Sequence, residues 1–224
     1  MTSPGPSNPI LGGTSHRVVV PFYGYAALSF LIANILLLTS TDAFSGHYFH
    51  PQILAITHLL ALGWGTMIIL GASHQLVPVL IEGKLYSQIM ANASFLFAGS
   101  GIPLLIYGFY TFNLRWPAWT GAILVNLSVL AYLFNLAMSI RNSKKENLHA
   151  IFIFTAATWL FLTTSLGLLL LFNFSFDLLT KDSLRYLSLH AHLGMAGWFL
   201  LMVMGVGSRL IPMFLISSYQ HNRL

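Results

Sequence analysis

"SLHAHLGMAGWFLLMVMGVGSRLIPMFL", residues 188–215, is a long apolar run broken near its start by His190 and His192. It exceeds the roughly 20 residues with which a helix crosses a hydrocarbon core about 30 Å thick, so it reads as a membrane span. On such a helix, residues two apart point about 200° from each other. His190 and His192 therefore cannot hold one ion together, and the spacing assigns them to opposite flanks of the same helix.

The surroundings of this run are equally apolar. Of 224 residues, 56% are hydrophobic and 7% charged, and the mean hydropathy is +0.76. That composition belongs to an integral membrane protein. Six spans can be marked, at about 18–40, 52–81, 88–111, 117–140, 149–173 and 186–218. They are separated by the polar or turn-forming stretches "STDAFSGHYFHP", "EGKLYS", "NLRWP", "RNSKKENLH" and "FDLLTKDSLRY". The expected fold is an all-α polytopic transmembrane bundle with short loops and antiparallel neighbours. Residues 1–17, rich in Pro, Gly and Ser, read as a flexible cytoplasmic tail, 18–218 as the transmembrane domain and 219–224 as a second cytoplasmic tail.

Charge orients the bundle. With six spans, Arg17, Lys84, Arg141, Lys144, Lys145, Arg209 and Arg223 share one side, against Arg115, Lys181 and Arg185 on the other. The positive-inside rule then puts both termini in the cytoplasm, and the net charge of +5 is a topology signal with no nucleic-acid partner implied. No cysteine is present, which excludes disulfides, thiolate metal sites and iron–sulfur clusters held by this chain. Only five carboxylates occur, none clearly within a span, which argues against a transporter built on buried Asp or Glu.

A shift of 134 positions lays "THLLALGWGTMIILGASHQLVPVL" (57–80) over "AHLGMAGWFLLMVMGVGSRLIPMF" (191–214). It matches His58 with His192, Gly63 with Gly197, Trp64 with Trp198, Gly71 with Gly205, Leu76 with Leu210 and Pro78 with Pro212. The same shift carries span 1 onto span 5. The expectation is a parallel internal repeat in which helices 1–2 recur as helices 5–6. Matched residues then lie at matched depth, and neutral imidazoles from two facing helices can ligate an iron from opposite sides with a porphyrin between them. On this reading Gly63, Gly197, Gly71 and Gly205 give a flat group room, and Trp64 and Trp198 pack near its edge. The alternative is a bundle whose histidines are hydrogen-bonded core residues and whose glycines only pack helices.

"HAHLGMAGW" with "RLIPMF", and "THLLALGW" with "QLVPVL", resemble the histidine-bearing helices of the catalytic subunit of heme-copper oxidases. The likeness is closest to the C-type oxidase and nitric-oxide-reductase branch and to the NnrS membrane proteins of nitrosative stress. It covers the two motif helices. The resemblance implies that His58 and His192 are the axial pair of a low-spin heme b, and that His190 is the proximal ligand of a second heme. It implies electron transfer or chemistry on O2 or NO in a bacterial or archaeal inner membrane. The partners implied are other subunits of a respiratory-type complex or further copies of this chain, with the redox partner unspecified. Those oxidase subunits have twelve helices. The H-H pair and the W-x-x-x-H-x-x-x-Y pattern of their copper centre do not occur here, so copper is not expected, and a second heme at His190 needs a wall from another chain. The other reading of His190 is a bundle-facing or interfacial residue bonded to a neighbour. The competing class is a non-enzymatic heme- or copper-handling protein or a structural subunit. Absence of C-x-x-C-H excludes covalent heme c.

Among the remaining residues, Arg115 and Arg185 are candidates to pair with heme propionates, or to serve as interfacial anchors. His47 and His50 are a weak copper or zinc pair in a loop. His74 lies too far along its helix to touch the group at His58 and reads as a polar helix end. Met195, Met202, Met204 and Met213 read as packing, and His16, His149 and His221 as surface residues.

Overall fold

The computed structural model describes residues 14–143 and 148–215. Lys144, Lys145, His221 and Arg223, and with them parts of both expected tails, lie outside the described residues.

Among the described residues, six helices are long and apolar enough to cross a membrane: α1 His16–Thr39, α2 Pro51–Leu80, α3 Gln88–Tyr110, α4 Trp116–Arg141, α5 Leu148–Phe176 and α6 Ser183–Phe214. Their starts follow local chemistry. Ser15 caps α1 by accepting from the Arg17 amide, Ser87 caps α3 by accepting from Met90, and Pro51 and Pro117 occupy first-turn positions where their missing N–H costs nothing. Three of the connections leave their helix through a non-glycine residue in the left-handed region: Glu82 (φ 50°), Phe112 (φ 53°) and Asp177 (φ 48°).

The helices pack in chain order, with α2 against α1 and α3, α3 against α4, α4 against α5 and α5 against α6. The α3–α4 contact is the closest. A Cβ at Gly121 would run into the backbone of Gly101 and Leu105, and one at Gly108 would stand 2.9 Å from Ala118. Glycine there lets two backbones touch. Gly63 packs on Ser29 and Gly71 on Phe22, joining α2 to α1, while Gly197 packs on Trp159 and Gly205 on Phe152, joining α6 to α5.

Helices α2 and α6 each contain one widened segment, Leu59–Thr66 and Leu193–Leu200, wound as π-helix. In the first, the Met67 amide bonds back five residues to the Leu62 carbonyl. An extra residue per turn resets the phase of everything beyond it. Both segments follow directly on a histidine, His58 or His192.

Buried polar side chains tie the connections down. Asn135 on α4 accepts from the Ser87 amide (2.9 Å) and donates to its carbonyl (3.0 Å), while Ser139 accepts from Tyr86 (2.9 Å). At the other end of the bundle, Asn173 accepts from the Leu179 amide (2.6 Å) and donates to Ser183 Oγ (2.9 Å). The end carrying the 40–50, 111–115 and 177–182 connections is termed distal below, because it lies away from Thr14 and Leu215, the first and last described residues.

Candidate functional site

A cavity of about 210 Å³ lies in the distal half of the bundle, walled by α2 through α6. Its floor is a hydrogen bond from Trp198 Nε1–H to Thr66 Oγ1 (3.2 Å), beside which Phe199 leans on Gly65. On its distal side Leu105, Phe109 and Leu171 form an apolar cluster on which Phe49 packs, and Phe49 in turn lies near Phe112 (6.1 Å between ring centres) and Phe174 (5.5 Å). The cavity contains the two imidazoles of His58 and His190, whose centres are 6.2 Å apart with planes inclined by 24°.

Each histidine stands about two turns into its helix, which gives the pair a common depth. His58 Nδ1–H donates to the Leu54 carbonyl at 2.8 Å, which fixes the tautomer and leaves the Nε2 lone pair free. Ligating histidines are held by this same bond to a carbonyl. His190 is seated against Gly167, where a Cβ would come within 2.9 Å of its ring, and its buried Nδ1 has no hydrogen-bond partner.

The remaining polar groups of the wall satisfy one another. Asn126 donates to the Ala122 and Thr164 carbonyls and accepts from the Thr164 and Ser165 hydroxyls, and the Thr163 hydroxyl donates to the Trp159 carbonyl. The cavity thus offers imidazole nitrogens within otherwise apolar or self-satisfied walls. Two nitrogens about 2 Å from a shared metal ion put their ring centres roughly 6 Å apart, so the spacing of the His58 and His190 rings suits coordination of one metal ion by two imidazoles.

The expected partner of His58 was His192, and the structure puts His190 there instead. His192 is exposed on the other flank of α6, with Nδ1 bonded to the Ser188 carbonyl at 2.7 Å. The physical reason is rotation: Gly197 seats α6 on Trp159, and that contact turns His190 inward and His192 outward. The two flanks inferred from the spacing are real, with the inward one belonging to His190. Gly63 and Gly197 face α1 and α5, not the cavity. Trp198 is buried (1% exposed) and lines the cavity, whereas Trp64 is 39% exposed and leans on Phe30.

The arginines and loop histidines lie elsewhere. Arg115 and Arg185 are exposed near the distal end, and Arg115 borders a surface depression with Phe112 and Phe174. His47 is exposed and accepts from the Phe49 amide at 3.1 Å, and His50 precedes α2 with a buried Nδ1 that has no partner. Among the described residues, no group of three or more His, Cys, Asp or Glu side chains converges. His149 bonds Ser208 Oγ at 2.8 Å across the α5–α6 contact, and His16 is exposed.

Sequence reading missed two features. The Asn126 cluster carries no motif. His74, read as a polar helix end, is 1% exposed, lies between Phe22 (5.2 Å) and Tyr132 (5.4 Å), and has an unpartnered Nε2. Its signal was the apolar run on both sides of "SHQ". Compared with protein-family models, curated proteins and solved structures, the chain gives no match.

Proposed function

We propose that the chain is a b-type cytochrome of the membrane, in which the distal cavity takes heme b, and that it carries electrons or handles O2 or NO within a respiratory or nitrosative-stress system. The observation that carries this reading is the pair of imidazoles at 6.2 Å inside an apolar pocket. An iron with both axial positions filled supplies one-electron transfer with little rearrangement. The protein's own part is to fix the His58 tautomer through Leu54, to make room for His190 with Gly167, and to exclude water with the Phe49 cluster and Trp198. The proposal moves His190 into the place that the resemblance gave to His192. His192 is then free for a second group, completed by another subunit or a second copy of the chain.

The heme-copper oxidase likeness belongs to the same proposal, as do a bacterial or archaeal inner membrane and cytoplasmic termini. Support for the repeat comes from the two π segments, which stand at the offset relating the sequences, and from paired glycine contacts. The contacts on α5 fall one helical turn short of an unbroken shift: Phe152 answers Phe22 and Trp159 answers Ser29.

A second reading, metal handling without a macrocycle, draws on size. About 210 Å³ is below the roughly 300–1,000 Å³ of sites for drug-sized ligands, and two imidazoles suit a single copper(I) ion. Purification from heme- and copper-replete cells, followed by optical spectroscopy and metal analysis, separates the two. A Soret band with one iron per chain supports the cytochrome, copper without heme supports handling, and neither overturns both.

A further inference from the structure

We propose that the cavity opens sideways to the lipid, through a gap between α2 and α6, and that this gap admits small, uncharged, membrane-soluble molecules. The inference rests on the distal cavity being the working site, and it concerns what reaches the two histidines from the bilayer, as distinct from the charged heme or metal ion that either reading places there.

Three observations carry it. First, both axial ends are packed. Phe49 lies on the Leu105, Phe109 and Leu171 cluster at the distal side, and the Trp198–Thr66 bond with Phe199 on Gly65 closes the other. Second, the far wall is sealed by backbone contact at the α3–α4 glycines and by the Asn126 bonds between α4 and α5. Third, the exposed residues that line the cavity are Thr57 on α2 and Ala191 and Met195 on α6, Met195 being 66% exposed. They lie beside the two histidines, about two turns below the helix starts, and so face acyl chains.

The chemistry of the walls sets the class. Away from the two imidazoles, Asn126, Thr163, Thr164 and Ser165 spend their hydrogen bonds on each other and on carbonyls, so an anionic or strongly hydrated molecule finds little compensation there for lost water. A molecule already dissolved in the bilayer loses none.

The chain has no cysteine, which makes the test direct. Single-cysteine variants in nanodiscs expose both aqueous faces: Gly194→Cys inside the cavity, where a Cβ meets only Thr163 Cγ2 at 3.4 Å, Met195→Cys at the gap, and His47→Cys as an aqueous reference. Gly194→Cys should react with N-ethylmaleimide. After scaling to His47→Cys, it should react at least about tenfold more slowly with a sulfonated maleimide, because a charge in the hydrocarbon costs a few kcal/mol. Adding Ala191→Trp should slow the neutral reagent. Equal rates for both reagents would establish a water route and overturn the proposal. So would an unreactive Gly194→Cys beside a reactive Met195→Cys, or no effect of Ala191→Trp. Ala61→Cys, also in the cavity wall, replaces Gly194→Cys if that variant fails to fold. No cofactor enters the measurement, so failure of the cytochrome reading leaves its outcome intact.

Discussion

His58 and His190 face each other across 6.2 Å, two turns into helices that are distant in sequence, while His192 looks out of the bundle. This relationship assigns different consequences to three histidines that resemble one another in sequence. His58→Ala and His190→Ala should each lower bound heme by at least about tenfold, the scale already reached when a ligand loses only its outer-shell partner. His192→Ala should retain the reduced spectrum. Pyridine hemochrome assay of the purified variants checks this, and loss with His192→Ala beside retention with His190→Ala would restore the pairing implied by the oxidase resemblance.

The cavity floor is a single indole bond with consequences for stability. Trp198→Phe and Thr66→Val each break it and leave less behind than truncation to alanine would. Each should cost about 1–2 kcal/mol, and the double variant should cost little more than either one, since they share one contact. Reversible unfolding in mixed micelles provides the numbers, and strict additivity would mean that the bond contributes nothing.

Gly121→Val tests the α3–α4 seam. Its side chain would collide with the backbone of Leu105 and Gly101, atoms that cannot rotate away. Destabilisation of at least about 1–3 kcal/mol is expected, with poor recovery of folded protein. The same change at Gly24, where a Cβ meets nothing within 4 Å, should be tolerated.

Asn135→Leu removes both bonds to the Ser87 backbone and leaves the part-buried Ser87 amide without its partner, while the Ser87 carbonyl keeps only the Ala91 amide. The cost should be about 1–3 kcal/mol, expressed locally. Hydrogen exchange should quicken at Tyr86, Ser87 and the first turn of α3 and stay unchanged around His58. A uniform increase across the protein would contradict a local role.

Much of the bundle could be read from the chain because lipid demands long apolar runs, and Pro51, Ser87 and the polar connections mark where those runs begin. The separation of His190 from His192 was legible for the same kind of reason, being a property of one helix. Which of the two faces inward was not, because α6 is apolar all around and its rotation is set by Gly197 on Trp159, a contact between residues far apart in sequence. The π segments added a second obstacle: a 3.6-residue periodicity carried across either one points side chains in the wrong direction. His74 and Asn126 escaped notice because burial of a polar side chain depends on what arrives from other helices. In these cases Tyr132 and Thr164 arrive.

The wide turns of α2 and α6 also make the two spans tolerant of a loss that ordinary helices are not. Deleting one residue inside either segment, such as Ala61 or Ala196, can be absorbed by tightening the coil to regular α-helix, which leaves both flanking halves facing as before. The histidine end and the Pro78 or Pro212 end of each span are thus joined by a coupling that takes up a single-codon loss, whereas the same loss in a regular stretch of the span would turn one half by about 100° against the other.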